Sequence, residues 1–117
     1  MSVPGREPTP ALLARVASRF RALAEPARLA ILHTLTDGPC TVSELVERSG
    51  LAQATVSKHL QQLLAAGFVS RRREGLFAWY ALADDRVLAL CELMCDRLAD
   101  ELAEEQAVLR GTAGIGT

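Results

Sequence analysis

Aromatic residues are scarce in this 117-residue chain, and long apolar runs are missing from it. Phe20, Phe68, Phe77, Trp79 and Tyr80 make up the aromatic complement. The core must therefore come mostly from Leu, Val and Ala, as in helical proteins. No apolar run approaches the roughly eighteen residues of a membrane-spanning helix. Residues 1–10 carry no apolar signal segment, so a cytoplasmic protein with no membrane partner is expected. Three cysteines, an odd number in a chain without a secretion signal, argue against a disulfide framework. No nucleophile–base pair, phosphate loop or paired-carboxylate motif appears, so an enzyme is not expected and no catalytic residue is assigned. Internal repeats are absent too, and the length suits one compact domain with a single core.

The charge that is present is unevenly placed. Residues 1–51 hold six arginines against five acids, and residues 84–117 hold three arginines against eight. Between them, residues 52–83 set Lys58, Arg71, Arg72 and Arg73 against Glu74 alone. The three segments carry +1, −5 and +3 in that order, so the net charge of −1 does not exclude a nucleic acid partner. The acidic C-terminal part is expected to face away from phosphate.

The basic segment contains the most informative stretch. In residues 51–67, Val56, Leu60, Leu63 and Leu64 recur at helical spacing and form one apolar stripe. The opposite face is Gln53, Thr55, Ser57, Lys58, Gln61 and Gln62, with no carboxylate anywhere in the stretch. Upstream, Thr41 and Glu44 have the spacing of a capping box that starts a short helix, and Gly50 suits its left-handed end. Two short helices around a Gly-containing turn read as helix-turn-helix. Downstream, residues 69–82 place Arg71, Arg72 and Arg73 before a Glu74-Gly75 turn, giving a β-hairpin wing with a basic first arm. Gln53, Thr55, Ser57, Lys58, His59 and Gln61, with Arg71, Arg72 and Arg73, are the candidate contacts to double-stranded DNA. Amides and hydroxyls can pair base edges in the major groove, and arginines hold phosphate. Strand alternation puts Arg71 and Arg73 on the face of Val69 and Arg72 on the other. Trp79 and Tyr80 are expected to anchor the wing to the body. A winged helix serving as a protein-interaction module is the rival of another class.

The remaining elements follow in order. Residues 1–8 and 111–117 lack periodicity and are expected to be a disordered arm and tail around a domain of residues 9–110. Thr9 and Pro10 cap a first helix to about Leu23, with Leu13, Val16, Phe20 and Leu23 on one face. A second helix follows Glu25-Pro26 and ends before Asp37-Gly38-Pro39. After the wing, Asp84 and Asp85 start a last helix to about Arg110. Its stripe of Leu88, Cys91, Cys95, Leu98, Leu102 and Leu109 is longer than one small core can cover. With the first helix it suggests a two-fold homodimer, the alternative being lengthwise packing on its own core.

These residues resemble the ArsR/SmtB family of bacterial repressors over roughly residues 20–82. The resemblance rests on Leu23, Pro26, Arg28, Leu29, Ile31 and Leu32, on the Val-Ser-Lys-His-Leu run Val56 to Leu60, and on Ala66 to Val69. It implies an α-α-α-α-β-β-α winged helix-turn-helix, mainly α, that dimerises through its first and last helices. It also implies operator DNA binding tuned by an inducer, as in a transcriptional repressor. The family's Glu-Leu-Cys-x-Cys-Asp-Leu box departs here. With its Asp-Leu aligned on Glu44-Leu45, its cysteine positions hold Thr41 and Ser43, and Cys40 is one residue early. The Asp/His site of the last helix also looks absent, since no histidine follows His59.

Cys40, Cys91 and Cys95 are what remains for sensing. Cys91 and Cys95, four apart, sit side by side on one helical face, well placed for a soft ion such as As(III), Cd(II) or Pb(II) and awkward for a disulfide with each other. Cys40 is expected on a loop, where burial is less usual, and is the thiol left to complete a three-sulfur site with them, from the same or the partner subunit. Thiol oxidation or persulfide sensing, and plain core packing, stay open as alternatives.

Overall fold

The computed structural model describes residues 7–111, so the expected disorder of residues 1–6 and 112–117 lies outside the described residues. The chain divides into two compact units, one ending at Ala83 and one beginning at Asp84.

The first unit opens with α1, Pro10–Leu23, where the Thr9 hydroxyl accepts from the Leu12 amide at 3.1 Å and proline occupies the first turn. Helix α2, Pro26–Thr34, restarts after the extended Glu25 and runs into a 3-10 turn, Leu35–Asp37. Strand β1, Cys40–Thr41, leads into α3, Val42–Ser49, then α4, Gln53–Ala65. The wing is β2, Val69–Glu74, and β3, Phe77–Leu82. The order of helices and the wing are as expected, with one addition. The sheet has three antiparallel strands in the order β1-β3-β2, with Cys40 beside Tyr80 and Thr41 beside Trp79. A strand of two residues is too short for alternation to reveal, and its pairing is purely tertiary.

The core of this unit is Leu23, Ile31, Leu32, Leu35, Leu45, Val56, Leu60, Leu63, Val69 and Tyr80, nearly all aliphatic. Of the α1 stripe only Leu23 is covered, while Leu13, Val16 and Phe20 stand exposed, as does Leu12. Cys40 is corrected: it lies in β1, not on an open loop, and is buried. Pairing with β3 turns its side chain inward beside the core.

The second unit is α5, Asp85–Leu109. The Asp84 carboxylate accepts from the Arg86 amide at 2.8 Å, and the Arg86 side chain on it holds that carboxyl below its ordinary range. Leu98, Leu102 and Leu109 of the expected stripe are exposed, and so are Leu90, Leu93, Met94 and Val108 outside it. Among the described residues no helix is long and apolar enough to cross a membrane.

Candidate nucleic-acid interface

Local chemistry builds the helix-turn-helix. The Thr41 hydroxyl accepts from the Glu44 amide at 3.2 Å, and the Glu44 carboxylate accepts from the Thr41 amide at 2.9 Å. This reciprocal capping box satisfies two amides that the first turn of α3 would leave orphaned. Gly50 ends the helix at φ 75°, in the left-handed region where a side chain is strained. The Ser49 hydroxyl then accepts from the Leu51 amide at 3.1 Å, which tightens the turn. Helix α4 starts at Ala52 with no side-chain cap and no acid in its first turn. Its first turn therefore sets no carboxylate of its own against the positive dipole end, an arrangement that favours phosphate.

Val56, Leu60 and Leu63 are fully buried and lock α4 to the body. Helical geometry sets Ala54, Lys58 and Gln61 opposite them, and all three are exposed, as is Gln53. Thr55, Ser57 and His59 are half-buried on the flanks. His59 turns its Nδ1 toward the protein, 3.4 Å from Arg28 Nη1. A guanidinium only donates, so a hydrogen bond between the two requires Nδ1 as the acceptor. That geometry leaves Nε2 as the ring nitrogen not turned toward Arg28.

In the wing, Arg71 lies across from Tyr80, Arg72 from Trp79 and Arg73 from Ala78. Val69 and Tyr80 are buried and Trp79 half-buried, so both aromatics anchor the hairpin at its base. Beyond Val69 every residue of β2 is exposed. Arg71 and Arg73 make no ion pair among the described residues, whereas Arg72 Nε sits 3.3 Å from a Glu74 carboxylate oxygen. Gly75, at φ 61°, turns the chain at the tip and leaves Leu76 93% exposed.

Two arginines that residue pattern did not single out as site residues hold α4 in place. Arg28 Nη1 donates to the Gln62 side-chain oxygen, and Arg19 Nη1 donates to the Ala66 carbonyl at the end of α4. Arg28 carried a signal as part of the family motif. Arg19 carried none, since nothing distinguishes it from other surface arginines of an amphipathic helix.

The cysteines fall into different settings. Cys40 donates to the Gly38 carbonyl at 3.6 Å and receives Arg48 Nη1 at 3.8 Å, with Arg48 held in turn by Asp37 at 2.6 Å. Cys91 is half-buried and Cys95 exposed on α5. Burial, and then the charge of Cys95, push the Cys91 thiol above its ordinary range, as expected for neighbours four residues apart. Among the described residues no group of three or more His, Cys, Asp or Glu side chains is placed to hold a metal ion.

Comparison with known proteins agrees with this geometry. Residues 25–71 match the model of a family described as bacterial regulatory protein, arsR family. A probable mercury resistance operon repressor of Streptomyces lividans is 45% identical over 74 residues, which span 63% of this chain and 59% of that protein. The biofilm growth-associated repressor of Agrobacterium fabrum is 39% identical over 93 residues, covering 77% of this chain and 80% of that one. Among solved structures, a homodimeric winged helix-turn-helix DNA-binding domain from Mycobacterium bovis, a possible ArsR-family regulator, superposes with a TM-score of 0.71. It is 36% identical, and the match covers 86% of this chain and 92% of that one.

Proposed function

The chain belongs to the arsR family of bacterial regulatory proteins, DNA-binding transcriptional regulators and not enzymes, and from that premise we propose that it represses transcription as a homodimer on a palindromic operator in the cytoplasm. The observation that carries this reading is the exposed face of α4. It is carboxylate-free and belongs to the same compact unit as Arg71, Arg72 and Arg73. Lys58 and the wing arginines take phosphate, while Gln53, Ser57 and Gln61 address base edges, with Thr55 and His59 at the flank. The uncovered Leu12, Leu13, Val16 and Phe20 of α1, and Leu98 and Leu102 of α5, supply apolar surface for a second copy. Two copies related by a two-fold axis would read half-sites about one helical turn apart.

The reading is tested by measuring binding of a promoter fragment and a scrambled duplex over a range of salt. Preference for the promoter and a steep fall with salt are expected. Equal binding to both duplexes would end the repressor reading.

The inducer reading rests on the α5 thiols. Cys91 and Cys95 present two sulfurs on one face, which fits a thiophilic ion and not an oxygen-seeking one. This reading keeps to that pair, because the Cys40 thiol is buried and hydrogen-bonded to the Gly38 carbonyl. The two α5 residues would hold the ion, with further sulfur supplied by the α5 of a second subunit. Such an ion, when bound, supplies a cross-link between thiolates. It weakens operator binding only if it prefers the DNA-incompetent dimer. As(III), Cd(II) and Pb(II) are the ions to try, and the name of the Streptomyces lividans relative adds Hg(II). Wild type is expected to release operator with one of these ions, and Cys91→Ser or Cys95→Ser to abolish the response with apo affinity retained. A full response in the double variant would remove the α5 pair from the mechanism. Response to persulfide or peroxide alone would replace the ion with thiol oxidation.

A further inference from the structure

Two guanidinium groups bridge helix α1 and helix α4. Arg28, on α2 between them, is half-buried and uses its whole fork. Its Nε donates to the Ala22 carbonyl at 2.6 Å and its Nη2 to the Arg21 carbonyl at 3.5 Å, both in the last turn of α1. Its Nη1 turns the other way, donating to Gln62 and facing His59 Nδ1 at 3.4 Å on α4. Arg19 adds a second bridge directly from α1 to the Ala66 carbonyl. Neither arginine forms an ion pair among the described residues. Their partners are neutral acceptors, chiefly carbonyls at the C-terminal ends of α1 and α4, where helix dipoles favour a cation. Between the bridges runs an open groove of about 400 Å³, lined by Arg15, Ser18 and Arg19 of α1 and Gln62, Ala65 and Ala66 of α4.

We propose that Arg28 is a positioning residue for operator recognition: its fork clamps the end of α1 to His59 and Gln62, and so sets the attitude of α4 on DNA. The proposal rests on the operator-binding reading and deepens it. The clamp acts on the reading helix in two ways. It ties the Gln62 side chain to α2, while Lys58 and Gln61 stay exposed. It also turns His59 Nδ1 toward Arg28, so that Nε2 is the ring nitrogen left to face DNA. Because the fork also grips α1, a shift of α1 reaches α4 through these hydrogen bonds. Lysine cannot replace it. An ammonium keeps the charge but is a point donor, without the planar fork that spans acceptors on two helices.

The test compares wild type with Arg28→Lys, with operator and scrambled duplex titrated at fixed salt and the fold checked by circular dichroism. Arg28→Lys is expected to lose about tenfold or more of the operator-to-scrambled preference, the worth of one base-edge contact. Binding to the scrambled duplex is expected to stay within about twofold, since the net charge that drives non-specific binding is unchanged. A folded Arg28→Lys protein with undiminished preference overturns the proposal. A wild type with no preference fails the operator reading instead. Nitrogen-15 spectra of the His59 ring in the wild-type protein serve where the variant does not fold. An Nδ1 that accepts a hydrogen bond is expected, and an Nδ1 that carries a proton would overturn the clamp, because Arg28 could not then donate to it.

Discussion

Glu74 is the single acid among residues 52–83, and it sits on the wing arm expected to approach phosphate. Its carboxylate holds Arg72 Nε at 3.3 Å, with both side chains more than half exposed (63% and 57%). An ion pair that wet is worth about 0–1 kcal/mol, so Glu74→Gln is expected to leave folding stability almost unchanged. Its effect on DNA is larger, because it removes a repelling charge and frees a guanidinium in each subunit. Each phosphate neutralised adds about 0.9 to the slope of log affinity against log salt. Two freed Arg72 side chains in a dimer, each taking one phosphate, would add about 1.8 to that slope. Across a roughly fourfold range of salt this amounts to about a twelvefold difference in affinity. The assay is fluorescence anisotropy of a labelled operator duplex at several salt concentrations, wild type beside Glu74→Gln. Tighter binding at low salt and a steeper slope are expected, and the scrambled duplex should gain equally, since phosphate carries no sequence. If slope and affinity both match wild type, the wing does not engage phosphate and its place in the interface is wrong.

Thr41→Ala removes the hydroxyl half of the capping box that starts α3, and a loss of about 1 kcal/mol in urea unfolding is expected. An unchanged midpoint would mean that β1 pairing alone holds this junction. Leu63→Ala empties a fully buried site beneath the reading helix and is expected to cost about 2–5 kcal/mol, read by thermal or urea denaturation. For the α5 thiols, iodoacetamide is expected to modify exposed Cys95 before half-buried Cys91. The thiolate is the reacting form, and the Cys91 thiol is held above its ordinary range. Its alkylation rate should therefore keep climbing at pH values where an ordinary thiol has levelled off, as peptide mass spectrometry would read. A Cys91 profile with an ordinary midpoint would show that neither burial nor Cys95 acts on it.

Elements specified by neighbours within a few residues are legible in the amino-acid order alone. Thr41 and Glu44 are three residues apart, and Gly50 directly follows the α3 helix that it ends. Gly75 turns a hairpin whose strands pair in immediate register. In each case the partners are chain neighbours, so composition and spacing carry the whole instruction. The apolar stripe of α4 is equally plain, because helical periodicity is local and burial follows wherever the stripe meets a core. For α1 and α5 the periodicity is just as readable, but whether a core covers it is not. Only Leu23 of the α1 stripe is buried, and Leu13, Val16 and Phe20 are exposed.

The tertiary structure decides what joins residues far apart in the chain. Cys40 reads as a loop thiol until β3, forty residues later, pairs with it and closes it off from solvent. Arg28 meets His59 and Gln62 across separations of 31 and 34 residues, and Arg19 reaches Ala66 across 47. Nothing in the residues flanking an arginine reveals which carbonyl its fork will reach. Periodicity and capping describe each helix by itself, and an arginine between helices takes its partners only once packing has fixed how they cross.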